Sequence, residues 1–521
     1  MGEDIRLINL KKFTIPELIK FQGQEHSSRP ALVSPDEILS FEDLDNFSTN
    51  IATHLINFGV LRGDRVAIWA PNINEWVLAA IAIHKSGGVL VPINTRMKGK
   101  EAAYILNNSE AKILFSVKNF LGTNYFKLLK NENLPYLDHK ISLDSEESLD
   151  SNFSFLNLKE KALNLELPEI QETDMADIIF TSGTTGKPKG VISSHLQNIK
   201  VFDYWSNYIG LHQDDRYLIV NPFFHTFGYK AGWLAAIMKG VTSYPCPVFD
   251  ADEIIKIIDQ HKISMLPGPP TLYQSILTSK LLDSLDISSL RLGVTGAASI
   301  PVQLIKDMKE KLGFETVITA YGLTESTGVV TMCSPDDDYE TIATTSGCAI
   351  AGVELKCINQ NNEEVPSGEP GEILVRGYNI TQGYFKNKTA TKDAIDNEGW
   401  LRTGDIGILD HNGYIKITDR SKDMFIVGGF NAYPAEIENI LCDHPSISQA
   451  AVIGIEDERM GEVAKAFIIL KPDCILEKDS LFQWSKDNMA NYKVPREIEF
   501  VEGLPTNAAG KVMKYLLKES S

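Results

Sequence analysis

The sequence predicts a large α/β N-terminal domain with parallel-type sheets and a small β-subdomain, followed by a small α+β C-terminal domain. Three observations carry this prediction. Short apolar strands alternate with helical segments through the first half of the chain, a hairpin texture sets in near Gly347, and 521 residues are too many for one ordinary core. The division is placed at residues 1–419 and 420–521.

Element by element, Ser40 followed by Asp43 has capping-box spacing, and Phe41, Leu44, Phe47, Ile51 and Leu55 recur at helical steps until Gly59. A strand "RVAIWA", a helix from about Glu75 and a strand "GGVLVPI" follow. The rhythm returns at "MADIIFTS", "KISMLPG" and "LRLGVTG". Beyond Gly347 the segments "AGVELKCINQNNEEVPSGEPGEILVRG" and "GILDHNGYIKITDR" read as short strands, with Asn412-Gly413 as a two-residue turn. Past Arg420 a helix near "PAEIENILCDH" and strands at "AAVIGI" and "AKAFIIL" form the C-terminal unit. The Ser/Glu/Asn-rich region 141–160 reads as a surface loop.

Composition narrows the function. A net charge of −19 disfavours non-specific binding to nucleic acid or anionic membranes. The N-terminus lacks a signal-peptide core, and no uninterrupted apolar run approaches the ~18 residues of a membrane span. Six scattered cysteines without a C-x-x-C pair favour free thiols over disulfides or zinc, and a cytoplasmic location is expected.

The chemistry concentrates in "TSGTTGKPKG" (residues 181–190), which follows the strand "DIIF". Glycines there let backbone N–H groups approach a phosphate, and Thr181, Ser182, Thr184 and Thr185 add hydroxyl donors. A Walker loop has a longer spacer before its Gly-Lys-Ser/Thr. Here only Thr184 and Thr185 separate Gly183 from Gly186, and Pro188 stands where the Mg²⁺-binding hydroxyl would be.

The stretch resembles the signature loop of the adenylate-forming superfamily of acyl-CoA synthetases, adenylation domains and luciferases. Further motifs agree in order: "PFFHTFG" (222–228), "GAA" (296–298), "YGLTES" (321–326), "GWLRTGD" (399–405), "DRSKD" (419–423) and "NAAGKVMK" (507–514). The resemblance implies ATP, Mg²⁺ and CoA as cofactor and co-substrates. In such enzymes a carboxylate attacks the α-phosphorus of ATP, so charge must be neutralised on two anions and on the leaving pyrophosphate.

By that resemblance Lys511 bridges carboxylate and phosphate oxygens, although Ala509 stands where the family often has a hydroxyl. Thr324 contacts the α-phosphate, Glu325 ligates Mg²⁺ and His225 lies against the carboxylate. Tyr321 stacks on adenine beside Gly322 and the loop Gly296, Ala297, Ala298; Asp405 and Arg420 hold the ribose; Lys189 completes the ATP loop with Gly183 and Gly186. Lys422 occupies the hinge position of a mobile C-terminal domain, whose second orientation brings Gly428, Gly429 and Phe430 to the site as a pantetheine passage. The acyl pocket is expected from Phe224, Tyr229, Trp233, Leu266, Gly268, Pro269 and Val329.

The closest resemblance is to stand-alone ligases of fatty acids or steroid-derived propionates. A fatty acyl-AMP ligase loading a carrier protein is the alternative; a luciferase-like oxygenase shares most of the motifs. A P-loop ATPase or a nucleotide-binding regulator would need neither Lys511 nor the hinge. The expected partners are a small carboxylic acid, ATP and CoA, with no nucleic acid and no membrane span; homodimer formation is left open. Lys511→Ala is expected nearly to abolish adenylate formation while thioester formation from supplied acyl adenylate largely survives. Separate assays of the two half-reactions check this, and equal loss in both would remove the role from Lys511.

Overall fold

The computed structural model describes residues 14–144, 153–181, 187–296, 300, 302–359, 361–420, 425–471, 474–505 and 514–519. A seven-stranded sheet has the order Phe153–Ser154, His139–Ser142, Ala111–Ser116, Arg65–Trp69, Val89–Pro92, Met175–Thr181, Lys189–Ser194. All its neighbours are parallel except the last pair. Strands such as "AIW" and "VLVP" are continuously apolar because helices cover both faces of a parallel sheet.

A second surface runs Ile38–Ser40, Pro30–Val33, Thr242–Pro245, Arg216–Ile219. Met265 bridges Tyr217 to Leu292 and continues it into Leu292–Thr295, Thr316–Tyr321, Thr331–Met332 and Cys348–Ala349. The expected strand at "KISMLPG" is thus reduced to single bridges at Met265. The helix Asn74–Lys85 is buried on nearly every face, as its all-round apolar sequence requires.

The capping box forms as read: Ser40 Oγ accepts from the Asp43 N–H (3.1 Å) and Asp43 Oδ2 accepts from the Ser40 N–H (2.9 Å). The helix Phe41–Asn57 then runs to Gly59, where φ is +87°. Of region 141–160, residues 145–152 lie outside the described residues, and the remainder departs from a plain surface loop. It contains the end of one strand, the strand Phe153–Ser154 and the helix Phe155–Glu160, which buries Phe155 and Leu158. Two apolar anchors outweigh a polar composition.

The β-subdomain is an antiparallel sheet of Val353–Ile358, Pro370–Gly377, Leu401–Leu409 and Ile415–Arg420. Its last hairpin is wider than Asn412-Gly413 suggests. The ladder stops at Leu409–Ile415, and Asp410 Oδ1 gathers the N–H groups of Asn412 and Tyr414, both at 2.8 Å.

The small C-terminal domain carries Phe430–Ala432, Phe425–Val427, Gly461–Leu470 and Ile447–Asp457, with Glu497–Phe500 beside Gly461–Leu470. Its apolar cluster, from Phe425 to Ile498, is separate from the main core, which extends from Ile15 to Ile415. Among the described residues, no helix is long and apolar enough to cross a membrane.

Candidate active site

Parallel sheets open binding crevices at the carboxyl ends of their strands. Here those ends converge. Thr181 ends one strand, Gly296 follows another and Tyr321 ends a third. Val220–Asn221 and Asn94–Arg96 follow two more, and all of them line one cavity of about 1810 Å³.

Of the residues singled out from sequence, Thr181, Lys189, Phe224, His225, Pro269, Gly296, Tyr321, Gly322, Thr324, Glu325, Val329 and Asp405 line it from the large domain. Gly428, Gly429 and Phe430 line it from the small domain. Ser182, Gly183, Thr184, Thr185, Gly186, Ala297, Ala298, Lys422 and Lys511 lie outside the described residues. The Arg420 backbone pairs with Asp405 across the β-subdomain.

The Tyr321 hydroxyl donates to Asp405 Oδ2 at 2.6 Å, tying the end of a large-domain strand to the β-subdomain. Beside it, Glu325 sits in a 3-10 turn, Thr324–Ser326, whose entry is held by Ser326 Oγ accepting from the Leu323 N–H at 2.9 Å. The turn exits through Thr327 at φ +59°, costly for a β-branched residue, and its hydroxyl donates to the Asn379 carbonyl at 2.7 Å. Gly322 cannot carry a side chain: a Cβ would lie 2.2 Å from the Gly328 carbonyl oxygen.

Burial raises the Glu325 pKa, opposed by the Tyr384 hydroxyl, which donates to Oε1 at 2.9 Å, and by the charge of Lys189. Lys189 also lies 5.2 Å from the centre of the Tyr384 ring. Nothing in the sequence had marked Tyr384; a bridge from Tyr384 to Val191, next to the loop strand, brings it here.

His225 is exposed to the cavity, and the protein around it lowers its pKa by desolvation. Its Nδ1 accepts from the Phe227 N–H at 3.2 Å, which assigns the proton of the neutral ring to Nε2. A neutral imidazole N–H can donate to a carboxylate without titrating near pH 7.

The acyl wall needs correction. Tyr229, Trp233 and Gly268 are not among the residues lining the cavity. Tyr229 and Trp233 stack on each other at 5.0 Å and pack against Trp76, and the Tyr229 hydroxyl meets His84 Nε2 at 3.1 Å. The reason is rotational. They sit on one side of the π-helix Phe227–Leu234, whereas Phe227 and Ala231, from the other side, reach the cavity. Gly268 admits Leu272 instead: a Cβ on it would lie 2.2 Å from Leu272 Cδ2, and Leu272 itself lines the wall. Leu266 belongs to the core.

Phe202, Trp205, Ala231, Cys246 and Leu272 complete the apolar end. Arg96, another residue missed from sequence, stands at a strand's carboxyl end, a position that could have been read as a ligand-facing one.

Residues 19–385 match the AMP-binding enzyme family and residues 436–511 match the AMP-binding enzyme C-terminal domain. A CoA ligase of a methyl-dioxo-octahydroindenyl propanoyl group from Rhodococcus jostii is 43% identical over 97% of this chain and 98% of its own length. The medium-chain acyl-CoA ligase ACSF2 of Bos taurus is 31% identical over 98% of this chain and 88% of its own. Among solved structures, a double mutant of o-succinylbenzoate CoA synthetase from Bacillus subtilis, bound to a CoA product analogue, has a TM-score of 0.84. It is 28% identical over 96% of this chain and 98% of its own. The same synthetase holding its acyl adenylate has a TM-score of 0.68, at 29% identity over 96% of this chain and 97% of its own.

The corrected wall separates two substitutions. Trp233→Ala is expected to cost roughly 3–5 kcal/mol of stability, as for a fully buried aromatic, with acid preference unchanged. Ala231→Phe, at a buried position, should lower the melting temperature less than Trp233→Ala does and raise KM for bulky acids by about ten-fold or more. Thermal melts and acid-competition kinetics decide; a selectivity change from Trp233→Ala would restore it to the pocket.

Proposed function

The chain belongs to the AMP-binding enzyme family, and we propose that it is an ATP-dependent ligase joining CoA to a fused-ring, steroid-derived propanoate. In the first step a carboxylate oxygen attacks the α-phosphorus and pyrophosphate leaves. In the second the CoA thiolate attacks the acyl carbonyl and AMP leaves.

One observation carries the reading: Gly428, Gly429 and Phe430 of the small domain share a cavity wall with His225, Tyr321, Glu325 and Asp405 of the large one. A nucleotide site alone would need no such partner. Gly428 and Gly429, at φ +55° and +86°, form a turn without side chains on the cavity wall, with Gly429 beside Pro269, which suits a pantetheine arm. The higher TM-score with the CoA-analogue form than with the adenylate form supports a thioester-forming arrangement of the domains.

Residue roles follow. Tyr321 and Gly296–Ala298 face adenine; Asp405 and Arg420 hold the ribose; Thr181–Gly186, Lys189 and Thr324 take the phosphates. The Nε2–H of His225 donates to the substrate carboxylate, and Lys511 bridges it to phosphate in the other orientation about Lys422. The two domains divide at residues 419 and 420.

Glu325 suits a Mg²⁺ that arrives with the nucleotide. It offers a hard oxygen on the cavity wall, and among the described residues no group of three His, Cys, Asp or Glu could hold a metal unaided. The ion would neutralise phosphate charge.

For the acid, Trp205, Ala231 and Cys246 give the cavity an apolar lining, and the similarity to a fused-ring propanoyl:CoA ligase supports a fused-ring acid. The free cysteines support a cytoplasmic setting.

Supplying ATP, Mg²⁺, CoA and a pool of carboxylic acids, with mass detection, tests the reading. AMP plus the CoA thioester of the bicyclic propanoate is expected; a medium-chain thioester alone would replace the acid, and ADP without thioester would refute the reaction. Gly429→Leu should slow thioester formation about ten-fold or more with adenylation intact. Unchanged CoA kinetics would remove the passage.

A further inference from the structure

Where the two domains meet, Lys493 of the small domain is 1% exposed, and its ammonium lies 2.7 Å from Glu101 Oε1 and 2.8 Å from Glu436 Oε1. Glu436 belongs to the small domain, on the helix Pro434–Cys442, so that contact travels with Lys493 whatever the orientation. Glu101 belongs to the large domain, on the helix Gly99–Ser109, and its side chain is 10% exposed. Only its contact depends on how the domains are docked.

We propose that Glu101 is a positioning residue that latches the small domain in the thioester-forming orientation through its ion pair with Lys493. The proposal rests on the two-step ligase reading. A contact biases an equilibrium only if it differs between the two states, and this one would be lost in any orientation that moves Lys493 away from Glu101. Its place fits the task. Lys493, Tyr492 and Asn491 line the cavity, and Tyr492 stacks on Phe430 at 5.0 Å, so holding Lys493 holds the wall through which CoA would pass. Arg96 of the large domain lies 4.1 Å from the centre of the same Phe430 ring, a second contact across the joint.

Glu101 also has a local duty, since its Oε2 accepts from the Lys98 N–H at 2.8 Å at the start of its helix. Glutamine can keep that bond while removing the charge. Glu101→Gln therefore separates latching from helix capping.

Two measurements test the latch. In the first, acyl adenylate is supplied and CoA-dependent thioester formation is compared with adenylate formation from ATP and acid. In the second, Lys100→Cys and Asn488→Cys are introduced with and without Glu101→Gln. Those exposed side chains approach to 3.4 Å across the joint, and a short bis-maleimide reports docking through the linked peptide in mass spectra.

With Glu101→Gln the thioester step should slow by about ten-fold, adenylation should hold or rise, cross-linking should slow several-fold and the melting temperature should not move. Unchanged cross-linking, or loss of both half-reactions together with a lower melting temperature, would overturn the latch. If the parent chain makes neither adenylate nor thioester from any acid, the ligase reading fails, and the cross-linking comparison still decides the latch.

Discussion

The pair between Lys230 and Asp177, 3.0 Å apart and both fully buried, sets how the rest of the site is arranged. Burial lowers the Lys230 pKa and Asp177 opposes that shift, so the lysine keeps its charge only while the partner stays close. The ammonium also donates to Ser193 Oγ at 2.9 Å, and the Asn198 amide donates to Asp177 Oδ2 at 2.6 Å. Separating such a pair would strand a charge in the core, at a cost of about 3–5 kcal/mol. The π-helix Phe227–Leu234 is therefore pinned to the strands Met175–Thr181 and Lys189–Ser194 that flank the signature loop. Pinning fixes its rotation, and rotation decides that Phe227 and Ala231, rather than Tyr229 and Trp233, line the cavity.

The reaction joins anions, and the cavity spreads the charge that this requires. On the cavity wall Lys189 stands beside Tyr384 and Glu325, and the position proposed for the acid has His225, whose pKa is lowered, rather than a second lysine or arginine. In the proposed role, a cation there would hold the ground-state carboxylate too well, whereas a neutral N–H would orient it and leave its nucleophilic charge available. In the roles proposed above, the positive charge demanded at the reacting centre would come from Lys511, needed only for the adenylation step.

Much of this was legible because the motifs are local. Ser40 and Asp43, or Tyr321 through Ser326, announce their geometry within a few residues. The pocket wall was not, because aromatic residues one turn past His225 look alike in sequence whether they face ligand or core. A π-helix and a buried ion pair, both set by packing, made that choice. Region 141–160 misled for a similar reason, since Phe155 and Leu158 are few but decisive. The Glu101–Lys493 contact joins residues 392 positions apart, and no periodicity connects them.

The joint between the domains has the composition expected of a reversible one. Each domain keeps its own apolar cluster, so neither depends on the other to bury its core. Among the described residues, the contacts that cross include an ion pair and an arginine over an aromatic ring. A broad apolar interface would bind more tightly but freeze one orientation. Charged contacts suit a joint that must release, because water solvates Glu101 well once it is exposed. The desolvation cost of docking offsets part of the attraction, which would keep two orientations close in free energy. A two-step reaction in one cavity needs that near-balance, so that each bound intermediate, rather than the fold itself, selects the next orientation.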